Sequence, residues 1–236
     1  MRVFGLMIGI FIGIAQAEWT ISTASGLQLF PIISPDEESK GAFIAFTDMR
    51  PRSSTEPHGY EIYVQHVNSS GNTWSNDVAV SFPYAPLSGG KSQQHGHRLS
   101  PVICKGSSNG NSAIVCWINH HNLASLGGDA NGIYCQKINK NGQLLWDGRP
   151  DKSGKQPIKI TNSTNPPAIC SDGAGGCVIV ALEKDGKTIK AWRLLSDGSF
   201  DDNWGGKDGK VIRTGTTVAK NLKVVKAGGM HPKLGA

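Results

Sequence analysis

The chain has 236 residues, 24 Lys and Arg against 18 Asp and Glu, a formal charge of +6, and 30 glycines. No stretch interleaves aromatic residues with Arg as single-stranded nucleic-acid grooves do, so a nucleic-acid partner is disfavoured. Nor does any sustained apolar period of 3.6 follow Ala17, which argues against a helical protein.

In chain order, residues 1–17 read MRVFGLMIGIFIGIAQA. A single Arg, an apolar core and an Ala-Gln-Ala end describe a secretory signal peptide. A membrane span needs about 20 apolar residues, and Gln16 and Glu18 arrive before that length is reached. The expectation is a mature chain that is secreted, periplasmic or at the cell surface, with no later membrane span.

Residues 18–226 form a repeat domain, with a tail over 227–236. The first unit, about 30–82, contains Phe43-Ile44-Ala45-Phe46 and then Glu61-Ile62-Tyr63-Val64-Gln65. The second, about 101–163, places Ile114-Val115-Cys116-Trp117 and Gly132-Ile133-Tyr134-Cys135-Gln136 at the same constant offset. Pro101–Cys104, Ala113–Ile118, Ile133–Ile138 and Pro157–Thr161 read as four antiparallel strands, with Asn141-Gly142 as a tight turn. The third unit, about 167–217, repeats the pattern from Pro167-Ala168-Ile169-Cys170 through Ile189-Lys190-Ala191-Trp192 to Ser196-Asp197-Gly198. A Trp follows the third strand of every unit, at 74, 146 and 204. Residues 221–226 look like the first strand of an incomplete fourth unit. The predicted fold is all-β: an array of about three four-stranded antiparallel blades of β-propeller type.

The stretch Asn139-Lys140-Asn141-Gly142-Gln143-Leu144-Leu145-Trp146 resembles the Asp-box turn of sialidase-type propellers, and Leu195-Ser196-Asp197-Gly198 is a looser relative. The turn Ser171–Gly176, the Trp-ended strands and the I-Y-x-Q strands together resemble bacterial secreted propeller repeats. That resemblance implies architecture, because these turns are structural and many functions share one fold. In every copy the Asp-box spacing is altered and its Ser and Asp are mostly replaced.

Sialidase chemistry would require clustered arginines, a Tyr nucleophile with a Glu partner, and an acid. The arginines after residue 17 (50, 52, 98, 149, 193 and 213) do not recur at equivalent positions, and Glu61 beside Tyr60 and Tyr63 is the one Tyr/Glu grouping. Asp48, Glu61, Asp129 and Asp172 could be nominated as paired carboxylates, but all lie at strand ends or turns, where acids serve solubility and turn formation. No catalytic residue is assigned. The leading expectation is a non-enzymatic binding or adhesion-type module whose ligand, a glycan or a surface protein, sits on the 48–60, 83–100 and 119–131 connections. A sialidase-like glycan-processing enzyme and a truncated remnant without activity are the alternatives. Lysines gathered between 184 and 233 suit a solvated face or an anionic glycan or cell-surface ligand. Three blades would leave two apolar faces open, which predicts self-association into a completed propeller.

No cofactor motif is present. His95-x-His97 and His120-His121 are weak metal candidates without a recognised ligand spacing. Asp129–Gly132 resembles the opening of a calcium loop with no closing Glu. Asn68 and Asn162 begin glycosylation sequons. Of five cysteines, Cys170 and Cys177 flank one turn and are predicted to bond, as are Cys116 and Cys135 if Trp117 pairs opposite Tyr134; Cys104 is then left as a thiol. Five buried thiols would be the alternative.

Overall fold

In a computed structural model, the described residues are 20–24, 27–50, 60–81, 97–120, 131–148, 156–216 and 222–224. They form three four-stranded antiparallel sheets. Blade 1 contains β1 (Gln28–Asp36), β2 (Gly41–Asp48), β3 (Glu61–Val67) and β4 (Val78–Ala79). Blade 2 contains β5 (His97–Lys105), β6 (Ser112–His120), β7 (Gly132–Asn139) and β8 (Ile158–Thr161). Blade 3 contains β9 (Ala168–Ser171), β10 (Cys177–Leu182), β11 (Thr188–Leu194) and β12 (Lys210–Thr214). Strands follow one another within each blade as in a propeller blade. The only helical segments among the described residues are two short 3-10 turns, Asp202–Trp204 and Gly206–Asp208. The signal-like segment lies outside the described residues. So does the suggested fourth-unit strand, apart from residues 222–224, which are not in a strand.

The repeat seen in the sequence is a repeat of register. Phe46 pairs with Tyr63 and Trp117 with Tyr134 at matching positions. Both aromatic pairs stack identically, with centroids 6.4 Å apart and planes at 20°. The first strands of blades 1 and 2 also share a defect: register shifts between Leu29 and Ile32, and again between Leu99 and Val102. Each shift holds one non-glycine residue at φ 54°, Phe30 or Ser100, immediately before Pro31 or Pro101. A proline cannot donate to a ladder, and the bulge accommodates it within the strand.

Blades pack face to face. Phe43, Ala45, Ile62 and Val64 of blade 1 interdigitate with Ala113, Val115, Trp117 and Ile138 of blade 2. Ile114, Ile133 and Trp146 of blade 2 meet Ile179, Trp192 and Leu194 of blade 3. Each interface is pinned by an indole: Trp74 Nε1 donates to the Lys140 carbonyl of the next blade (2.8 Å), and Trp146 Nε1 to that of Ser196 (3.0 Å). Trp204 does not continue the series. It lies in the 3-10 turn, and Trp192 instead donates to Lys207 within its own blade. The outer face of blade 1 buries Ala42, Ile44, Phe46 and Tyr63, with Ile21 packed against them. On the outer side of blade 3, Val178 and Val180 stay half-buried; Val211 and Ile212, on its edge strand β12, are exposed.

A second repeated device is an acid at the β1–β2-type turn that clamps a base on the third strand. Asp36 holds His66 (2.8 Å), and Asp172 holds Arg193 (2.9 Å). In blade 2 the corresponding turn starts at Gly106, whose N–H bonds to Ser112 as that of Asp172 bonds to Gly176. Without the acid, Lys137 reaches across the interface to the carbonyls of Gly175 (2.7 Å) and Ser196 (3.2 Å). Burial pushes the Asp172 carboxyl up, but the N–H groups of Ala174 and Gly176 and the Arg193 guanidinium outweigh it, so it lies below its ordinary 3.8. A carboxyl depressed on folding stabilises fully above its unfolded value and loses that contribution as pH falls through the lower folded value. The gap in urea midpoint between wild type and Asp172→Asn is therefore expected to close as pH is lowered from above 3.8. A gap that stays constant would contradict this.

Cys116 and Cys135 lie opposite one another on β6 and β7 and form a disulfide. The expected Cys170–Cys177 bond does not form. The turn is Asp172–Gly176, so Ser171 pairs with Cys177, and Cys170 pairs with Val178. This one-residue slip turns the two sulfurs to opposite faces of the sheet. Cys104, Cys170 and Cys177 are thus all thiols. The 116–135 bond closes a separation of 19 residues, which by loop entropy stabilises by about 3 kcal/mol. A reduced or Cys116→Ala/Cys135→Ala protein is expected to unfold earlier by that amount in urea; coincident curves would refute it.

Candidate functional site at the long-loop end

Antiparallel order brings the β2–β3, β4–β5 and β6–β7 connections to one end of blades 1 and 2. Their central portions, 51–59, 82–96 and 121–130, lie outside the described residues. Their roots are Asp48 and Arg50, Tyr60 and Glu61, His97 and Arg98, and Asn119 and His120.

These roots are densely charged and largely buried. Asp48 and Glu61 are cross-strand partners, 0% and 4% exposed. Asp48 accepts the Arg50 backbone N–H (2.6 Å) and its Nε (2.9 Å) and Nη2 (2.5 Å). Arg50 also bridges to Asp77 (2.6 Å), which accepts from Ser22 (2.7 Å) and Gln65 (3.0 Å). Its guanidinium carbon lies 3.9 Å from the centroid of the Tyr63 ring, a cation–π contact. Burial works against the Arg50 charge, but Asp48 and Asp77 outweigh it and raise its pKa. Arg98 Nη1 donates to Glu61 (2.6 Å), and so does Ser81 Oγ (2.6 Å). The Tyr60 and His97 rings lie 5.2 Å apart.

The structure thus brings Asp48 and Glu61 together, each in an ion pair with an arginine. Asp172 is placed at the opposite end, and Asp129 is outside the described residues. Arg98 and Asp77 are the partners that sequence reasoning missed; Arg98 was noted only for failing to recur, and no local pattern joins Asp77 to Arg50. Among the metal candidates, His97 and His120 are directly opposed on β5 and β6, whereas His95 and His121 fall outside the described residues. No three of His, Cys, Asp and Glu converge as metal ligands among the described residues.

Elsewhere, the first strands of all three blades line a groove of about 500 Å³, including Ile33, Ser34, Ile103, Cys104, Ile169 and Cys170. Burial raises the Cys104 and Cys177 thiols well above their ordinary range, which makes them inert as nucleophiles.

No family model and no curated protein sequence matches the chain. Among solved structures it is similar to a Hadza microbial sialidase, Hz136, at 13% identity and a TM-score of 0.42, covering 72% of this chain and 35% of that one. It is also similar to the GH93 α-L-arabinofuranosidase of Fusarium graminearum solved with arabinobiose, at 16% identity and a TM-score of 0.41, covering 74% of this chain and 45% of that one. The chain therefore spans less than half the length of either.

Proposed function

We propose that the protein is a non-enzymatic binding or adhesion module, exported by its signal-like N-terminus, that holds a glycan on the long-loop end of blades 1 and 2. The observation that carries this reading is the pairing of Asp48 and Glu61 with Arg50 and Arg98. The oxygens of both carboxylates are taken up by guanidinium, backbone N–H and hydroxyl donors of the protein itself, so the pair serves to tie strands and loops together. The same network provides a rigid base for three long connections, the arrangement in which loops carry recognition. Binding of the purified mature chain to a glycan array, without turnover of fluorogenic glycosides, is the expected result. Turnover that disappears in Asp48→Asn or Glu61→Gln would replace this reading with a glycosidase.

Self-association belongs to the same proposal. The exposed Val211 and Ile212 and half-buried Val178 and Val180 suit a second copy that extends the blade array. Light scattering is expected to show a dimer or larger species, and a monodisperse monomer would refute that part alone.

A further inference from the structure

We propose that His97 and His120 form a two-imidazole site for one borderline divalent transition-metal ion, with Cu²⁺ bound more tightly than Zn²⁺. The two residues are direct partners across β5 and β6. Side chains at such positions share a face, with Cβ atoms ~4.5–5.5 Å apart, which lets two imidazoles converge on one ion. Imidazole nitrogen suits both metals, and the Irving–Williams order places Cu²⁺ above Zn²⁺.

Three further observations favour a cation there. The Nδ1 of His97 is buried and has no hydrogen-bond partner among the described residues, so in the neutral tautomer protonated at Nε2 it has an unused lone pair. The Tyr60 ring, 5.2 Å away, restricts the rotation of the His97 ring, reducing the ordering cost of binding. The third observation concerns charge. Arg98, the cation next to His97 in the chain, is already engaged by Glu61 (2.6 Å), so its repulsion of an incoming ion is offset. Two protein nitrogens leave the other coordination positions to water.

The test is calorimetric titration of the full mature chain with CuCl2 and with ZnCl2, alongside His97→Asn, His120→Asn and His95→Asn/His121→Asn. Thermal melts in metal-free buffer check that each variant is folded. The expected result is one equivalent bound, Cu²⁺ tighter than Zn²⁺, and affinity reduced roughly tenfold or more in each of His97→Asn and His120→Asn. The His95→Asn/His121→Asn protein should bind as wild type. Electron paramagnetic resonance of the Cu²⁺ form should show two equatorial imidazole nitrogens in wild type and one in either single variant. Absence of saturable binding by wild type overturns the site, as does wild-type affinity in either single variant. Loss of binding confined to the His95→Asn/His121→Asn protein would also overturn it, because the ion would then be held elsewhere.

Discussion

Trp146→Ala is expected to lower the unfolding free energy by about 3–5 kcal/mol, the range for truncating a large buried aromatic. The indole is 1% exposed and sits in the core shared by blades 2 and 3. Its Nε1 donates to the Ser196 carbonyl, and its ring lies against the turn at Gly198, where an added Cβ would come within 2.9 Å of the ring carbons. Gly198 also has φ 92°, a conformation that non-glycine residues avoid. The turn and the indole were therefore shaped for each other. Removing the indole leaves a cavity and takes one of two donors from the Ser196 carbonyl, which keeps Lys137 Nζ (3.2 Å). Phenylalanine at 146 should restore part of the packing but not the hydrogen bond, and so fall between the two. Urea unfolding followed by far-UV circular dichroism reads all three proteins. A loss below about 1 kcal/mol for the alanine variant would mean that the blades are not held by this pin.

Arg98→Met is expected to cost about 3–5 kcal/mol, because removing one member of a buried ion pair takes away a counter-charge from the other. Arg98 and Glu61 are 3% and 4% exposed, and the pair ties the first strand of blade 2 to the third strand of blade 1. Ser81 Oγ remains as a donor to Glu61 but brings no charge. The Arg98→Met/Glu61→Gln double variant should recover much of the loss, since it removes the buried carboxylate charge as well. A single variant as stable as wild type, or a double variant worse than the two singles combined, would contradict the pair's assigned role. If the single variant also loses ligand while the double regains stability but not binding, then the network serves recognition as well as folding.

How much of this protein could be read before its fold was known follows from the range over which each feature is encoded. Period-2 alternation, Asn-Gly and Asp-Gly turns and the constant offset between Glu61–Gln65 and Gly132–Gln136 are local or repeated signals. They were sufficient for the three-blade, four-stranded plan, and the Cys116–Cys135 bond was legible because it needed only the pairing of neighbouring strands through Trp117 and Tyr134. Cys170–Cys177 was misread because it depended on where one turn begins. A strand end one residue later, at Ser171, moves a side chain to the other face. The unmatched role of Trp204 has the same origin: the inserted 3-10 turns at 202–208 displace it from the position held by Trp74 and Trp146.

The contents of the long-loop end were the least legible. Asp48 and Arg50 are two residues apart, but Asp77 joins them only through the folding of blade 1, and Arg98 reaches Glu61 only where two blades meet, which no window of sequence contains. The facing of His97 and His120 is intermediate: both histidines were visible as motif fragments, but only the β5–β6 register made them opposites. By itself, then, the sequence determined the strands, their order and their repetition, because backbone alternation and turn chemistry act between near neighbours. The tertiary structure alone decided which charges are neutralised, which thiols remain thiols and which side chains converge at the loop end. Those outcomes depend on register and on packing between blades, and a shift of one residue reverses them.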